Sequence, residues 1–245
     1  MRLRFLATIA LATCAMALPV AADPLTPEQK DAVEQLIRNT IAEHPEIVIE
    51  ALKAAQAKSD AEAAANVSKV IAARHDQLVA DPASPVGGNP NGDVTIVEFF
   101  DYRCPYCKEV EPSLEALLKD DRGIRFVYKE FPILGRASVY ATHVALAARA
   151  QGKYDEFHRA MMAVRGTIDE DVVRRTAAAS GIDMKTLDGM IDAPEIDRII
   201  KANYALAESL NIDGTPAFVV GSHLLQGVPD ADALRRLVAE IRKGG

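Results

Sequence analysis

Two cysteines, Cys104 and Cys107, stand between the apolar run VTIVEFFDY (94–102) and a helical pattern. They are the only cysteines outside the first 20 residues of this 245-residue chain. Such a pair can clip a metal, staple a turn or cycle between thiol and disulfide. A zinc site takes about four ligands, usually as two spaced pairs. Here there is no second cysteine pair, and His44, His75, His143, His158 and His223 are scattered without ligand spacing. A permanent disulfide across two intervening residues constrains the unfolded chain weakly compared with a long loop. Redox chemistry accounts for the placement best. A strand delivers Cys104 to a helix start, where free N–H groups and the helix dipole favour negative charge. A thiol there falls from about 8.5 into the range ~3.5–7.5, and the thiolate is the attacking species. Cys107 lies one turn on, faces the same side and can close the ring. Pro105 fits the first helical turn.

Two other features bear on this chemistry. Glu98 interrupts the apolar strand six residues before Cys104. A carboxylate in a buried strand is costly, so it either faces a wet edge or has a task. The task would be to accept the proton of Cys107 when that thiol attacks. Thr215-Pro216 opens the late apolar run TPAFVV. Proline is ordinary at a strand start. A cis bond there would leave an unpaired backbone edge on which a substrate peptide could dock.

The elements that must position these residues follow from periodicity. The run 94–102 is apolar on both faces and reads as a central strand. After the cysteines, Val110, Leu114, Leu117 and Leu118 mark a helix, with Pro112 inside it. GIRFVYKEF (123–131) is a second strand, ended by Pro132. A helical block covers about 137–212, with a capping box at TIDE (167–170), a stop at Gly181 and a buried face at Ile196, Ile199, Ile200 and Leu210. Two short strands flank a turn at Gly221-Ser222. A last helix runs over about 230–242. The order is α/β: strand, active turn, helix, strand, helical block, hairpin, helix.

Before this unit, residues 26–80 read as helix. TPEQ (26–29) is a capping box. His44-Pro45 interrupts the pattern. A second helix from Glu46 to about Val79 is rich in alanine, with Leu52, Val67, Ile71 and Leu78 on a thin apolar stripe. Such a helix has little to bury alone. The spacing therefore predicts a helical extension that self-associates. DPASPVGGNPNGD (81–93), with its prolines and glycines, reads as a linker and sets the domain boundary. Residues 1–22 read as a secretory signal: Arg2 and Arg4, a short apolar core, then small residues at Val20 and Ala22. A membrane anchor and a lipoprotein signal at Cys14 are the competing readings. Removing the segment leaves 26 Lys+Arg against 35 Asp+Glu, a formal charge of −9. Without a basic patch, nucleic acid is not an expected partner. Export to the periplasm would meet the oxidising conditions in which a thiol pair cycles.

FFDYRCPYC, the helical block between strands, and GTPAFVV before the last hairpin together resemble the DsbA-like branch of the thioredoxin superfamily, over about residues 94–245. The resemblance implies a thioredoxin fold with an inserted helical domain, preceded here by an α-helical N-terminal extension. It implies that Cys104 is the nucleophile, Cys107 the resolving thiol, and Pro216 a cis proline with Thr215 beside the site. Glu98 matches the buried acid of DsbA. The pair Pro105-Tyr106 departs from that protein's Pro-His. The alanine-rich N-terminal region before such a domain is similar to ScsC proteins, which are linked to copper tolerance and in some members trimeric. The expected function is thiol–disulfide oxidation or isomerisation of protein substrates, reset by a membrane redox partner. The redox centre would be the cysteine pair, with no other cofactor and no resident metal. The competing readings are a monomeric dithiol oxidase and a periplasmic carrier holding Cu(I) between the same thiolates.

Overall fold

The computed structural model describes residues 25–244. The signal segment lies outside the described residues. The chain divides into two compact units, one through Ala57 and one from Lys58 onward.

In the first unit, helix α1 (Pro27–Glu43) opens with the expected capping box. Thr26 accepts from the Gln29 N–H, and the Gln29 side chain accepts from the Thr26 N–H. It stops at His44, before Pro45, as a residue preceding proline should. None of its residues is buried. Helix α2 (Glu46–Ala73) follows and carries the chain into the second unit.

The second unit is built on five strands: β1 (Val86–Gly88), β2 (Val94–Phe100), β3 (Ile124–Glu130), β4 (Ala217–Val220) and β5 (His223–Gln226), in the order β1-β3-β2-β4-β5. β2 and β3 are parallel, joined through α3 (Pro105–Asp120), and the other pairings are antiparallel. The doubly apolar pattern of residues 94–100 has its cause here: β2 is the central strand, covered on both faces. Ile96 packs with Val110, Leu114, Leu117, Leu234 and Val238. The last two come from α9 (Ala231–Arg242). On the other face, Val97 and Phe99 pack with Leu206, Leu210 and Ile212. Helices α4 (Arg136–Arg149), α5 (Tyr154–Ala163), α6 (Glu170–Ala179), α7 (Met184–Met190) and α8 (Pro194–Ser209) form the block between β3 and β4. Gly181 sits past the end of α6 at φ +77°, a left-handed conformation that glycine adopts freely. Among the described residues no helix is long and apolar enough to cross a membrane.

Four expectations need correction. The segment 81–93 is not a free linker. It contains β1, paired with β3, and the Asp81 carboxylate accepts from the buried Lys129 ammonium at 3.0 Å. The boundary also lies earlier than 81. Ile71 and Leu78 are buried against the sheet with Val97 and Phe99, so the end of the alanine-rich segment belongs to the second unit. Burying a leucine contributes roughly 1.5–3 kcal/mol, enough to hold that segment down. The long second helix is accordingly interrupted: α2 ends at Ala73, and a short π-helical turn, Asp76–Ala80, turns Leu78 inward. Finally, Thr167 does not cap α6. Ile168 is drawn into the core, and Asp169 takes the cap, accepting from the Val172 N–H at 2.8 Å.

Candidate active site

α3 starts where β2 leaves the sheet. Asp101 shapes the turn. Its carbonyl accepts from the Cys104 N–H at 3.0 Å, and its carboxylate accepts from the N–H groups of Arg103 (2.7 Å) and Leu134 (2.9 Å). Cys104 is thereby set as the N-cap of α3, and its sulfur accepts from the Cys107 N–H at 3.4 Å. The Cys104 thiol also reaches the Thr215 carbonyl oxygen at 3.2 Å. The structure thus brings together residues 111 positions apart in sequence. The Thr215–Pro216 bond is cis. Both cysteines are free thiols.

The two thiols differ sharply. Hydrogen bonding from Cys107 holds Cys104 down at about 6, helped by Thr215 and by the N–H groups of Cys107 and Tyr106. Burial pushes Cys107 up, beyond the range in which a thiol titrates in water. The proton it shares with Cys104 and the charge of Glu98 act in the same sense. Both cysteines are buried, Cys104 with 3% of its surface accessible and Cys107 with none, so an exposed Cys104 is not what the helix start delivers.

A direct consequence concerns pH. Below about 6 Cys104 is a thiol, and above it a thiolate. Alkylation of the reduced protein should rise through a midpoint near 6 and plateau above it, with all label on Cys104. Peptide mapping of the labelled protein measures both points. A midpoint near the free-thiol value of about 8.5 contradicts the geometry.

Glu98 does not face a wet edge. It lies on the central strand, fully buried, and neither carboxylate oxygen has a hydrogen-bond partner. Burial first, then the charges of Glu111, Cys104 and Glu130, raise it well above the usual carboxylate range.

Several residues of this region carry no signature in sequence. Glu111 is one turn beyond Cys107 on α3 and stands 3.6 Å from Nε2 of the buried His158. The i+4 spacing from Cys107 was the available signal. His158 packs on Phe100 and Tyr128 and meets the Tyr102 hydroxyl at 3.3 Å. Glu130 accepts from the hydroxyls of Tyr102, Tyr154 and Thr142, and burial pushes it up to about 8. These groups come from the turn after β2, from α3, from β3 and from the helical block, so only the fold assembles them.

A parallel β2–α3–β3 crossover, a cysteine pair at its helix start and a Thr–cis-Pro peptide against the first sulfur define a thioredoxin-like protein. The chain belongs to the DSBA-like thioredoxin domain family, which matches residues 95–241. Residues 29–62 match the family described as the copper resistance protein ScsC N-terminal domain. The chain is therefore a DsbA-like thiol–disulfide oxidoreductase with the layout of ScsC proteins. It is 28% identical over 172 residues to the thiol:disulfide interchange protein DsbA of Bordetella parapertussis, covering 65% of this chain and 82% of that protein. A thioredoxin-like oxidoreductase from Silicibacter pomeroyi superposes with TM-score 0.67 at 45% identity, covering 69% of this chain and 97% of the other. A linker-deletion mutant of Proteus mirabilis ScsC superposes with TM-score 0.66 at 26% identity, covering 92% and 100%. A similar domain stretch, 156 residues at 28% identity, aligns with a Na(+)/H(+) antiporter of Salinispora tropica but spans only 24% of that protein.

Proposed function

We propose that this chain is an exported, self-associating protein thiol–disulfide oxidoreductase that oxidises or reshuffles client disulfides through Cys104 and Cys107. The inequality of the two thiols carries this reading. In reshuffling, the Cys104 thiolate attacks one sulfur of a client disulfide. The client S–S bond breaks, a Cys104–client disulfide forms, and the departing client sulfur leaves as a thiolate. A second client thiolate can then attack the mixed disulfide, which returns Cys104 and leaves a new client pairing. Alternatively Cys107 attacks Cys104, frees the client thiol and closes the Cys104–Cys107 disulfide. Run in reverse, that closed disulfide oxidises a client dithiol. Which direction prevails depends on the reduction potential and on the membrane partner that resets the pair. The pair itself is the redox centre, and the reading calls for no nicotinamide or flavin.

Export rests on residues 1–22 and on the use made of a thiol pair. Assembly rests on the first unit. Val33, Leu36, Ile37 and Ile41 of α1 are 44, 65, 53 and 43% exposed, and Leu52 of α2 is 65% exposed. Apolar side chains at helical spacing with nothing over them favour association. Several catalytic units on one stem would hold a misfolded client while its disulfides are exchanged, which favours isomerase over simple oxidase.

Light scattering on the intact mature protein, and on a truncated form starting at Lys58, tests the assembly. The intact protein should be a dimer or trimer and the truncated form a monomer that isomerises a scrambled substrate less well. An intact monomer at micromolar concentration removes the assembly. Equal isomerisation by both forms removes its link to function.

A second reading uses the same sulfurs. Soft thiolates suit Cu(I), and the N-terminal match is to a family described by copper resistance. Copper would then be cargo. Metal analysis of the reduced protein beside a disulfide-exchange assay separates the readings: one bound copper with no exchange supports the carrier.

A further inference from the structure

We propose that the groove between the start of α3 and the segment after α5 binds an acidic stretch of the client polypeptide next to the cysteine under attack. This rests on the redox reading above and names the kind of client it selects. The groove encloses about 570 Å³ and is lined by Arg103, Pro105, Lys108, Glu109, Arg165 and Thr167, among others. Its volume is that of a ligand-sized site, ~300–1,000 Å³. Arg103 and Pro105, the two chain neighbours of Cys104, both line it, so the groove adjoins the sulfur to which a client would be bonded.

The cations here are held by backbone carbonyls, and none of the three forms a direct ion pair among the described residues, although Asp101 acts on Arg103 and Lys108 from a distance. Arg103 donates to the Leu134 carbonyl, Lys108 to the carbonyls of Met161 and Met162, and Arg165 to those of Met162 and Val164. A neutral carbonyl orients a cation without cancelling its charge. The ion pairs found among the described residues engage other cations, such as Lys129, Arg174, Arg235 and Arg242. Crowding has a visible cost: burial and the neighbouring Arg165 pull Lys108 down to about 8. Thiolate stabilisation does not explain the cluster, because hydrogen bonds hold Cys104 down. Glu109 is the single carboxylate of the lining. Three cations around one groove, on a chain of formal charge −7, form a local inversion of sign. Fields of this kind raise association rates of oppositely charged partners and fade with salt.

The test uses three disulfide peptides of equal length whose cysteine is flanked by aspartates, serines or lysines. Second-order exchange rates with the intact reduced protein are measured at low and high ionic strength. The acidic peptide should react about tenfold faster than the lysine peptide at low salt, and the ratio should shrink towards one at high salt. Arg165→Glu should reverse the preference, while Arg198→Glu, the same charge change on α8, should leave the ratio as in the parent. Because the readout is a ratio, a general loss of activity does not mimic the result. A ratio near one in the parent protein, or an equal shift in both variants, overturns the proposal while the redox reading stands. Failure of all three peptides to exchange overturns both.

Discussion

Replacing Cys104 with serine removes thiol–disulfide exchange, by about a thousandfold or more, as removing a covalent nucleophile does. Replacing Cys107 has a different outcome. The first attack still occurs, but nothing inside the protein resolves the product, so Cys107→Ala accumulates a mixed disulfide with client protein. Non-reducing gels followed by mass analysis detect it at Cys104. The same variant changes the nucleophile itself. Hydrogen bonding from Cys107 is the largest influence holding Cys104 near 6. Removing that sulfur should raise the Cys104 midpoint towards the ordinary thiol value, and the ultraviolet absorbance of the thiolate measures it. Attack at neutral pH then slows, so the trapped species forms more slowly than the parent turns over. A Cys107→Ala protein with an unmoved Cys104 midpoint would show that the helix start alone sets the acidity. Equal activity of the Cys104→Ser variant and the parent would end the redox reading.

The site was legible in sequence to the extent that its residues are neighbours along the chain. Cys104 and Cys107 announce themselves by spacing, and the strand before and helix after place them at an N-cap. Thr215 is further away, but its proline and the apolar run after it mark a strand start, and the structure sets its carbonyl against Cys104. Glu98 stood out because a charge breaks an apolar run. His158 and Glu130 could not be found this way. They sit in ordinary helical and strand patterns, and their meeting with Tyr102 and Glu111 depends on how the helical block closes over the sheet. The domain boundary was misplaced for a related reason. Proline and glycine between 81 and 93 look like a linker locally, yet β1 gains a partner only when β3 is present. Leu78 looks isolated on an alanine-rich helix, yet it meets a core supplied from residues 97 to 219. Cys104 illustrates the limit of a local rule in another way. Its neighbour Cys107 and the helix start lower its pKa locally, but Thr215 also contributes, and its accessibility is set by residues from elsewhere.

Glu98→Gln should slow exchange and stabilise the fold, and the two effects have one cause. Neither oxygen of Glu98 has a partner, and burial and the Cys104 charge both favour its protonated form. Once Cys104 is bonded to a client, that charge is gone. Glu98 then loses one of the influences raising it, and Cys107 loses the sulfur anion with which it shared a proton. Both proton affinities fall, so Glu98 can release its own proton to solvent and, as the carboxylate, take the Cys107 proton as that sulfur attacks. Proton transfer by a positioned group contributes about a hundredfold to ten-thousandfold. Glutamine cannot do this, so the resolving step should slow by about a hundredfold while alkylation of Cys104 changes little. The stability effect follows from linkage. A carboxyl raised on folding holds its proton in the native state and releases it, above its ordinary value of about 4.3, in the unfolded state. Rising pH therefore favours unfolding of the parent through this group. Glutamine has no such dependence. The melting temperatures of parent and variant should coincide near about pH 4 and separate as pH rises above that unfolded value, with the variant the more stable. A variant that is faster to unfold at neutral pH would mean that the carboxyl has a partner in the native protein. A variant that is stabilised as expected but resolves mixed disulfides at the parent rate would leave Glu98 a buried acid without a part in the chemistry, and the Cys107 proton would have to leave by another group.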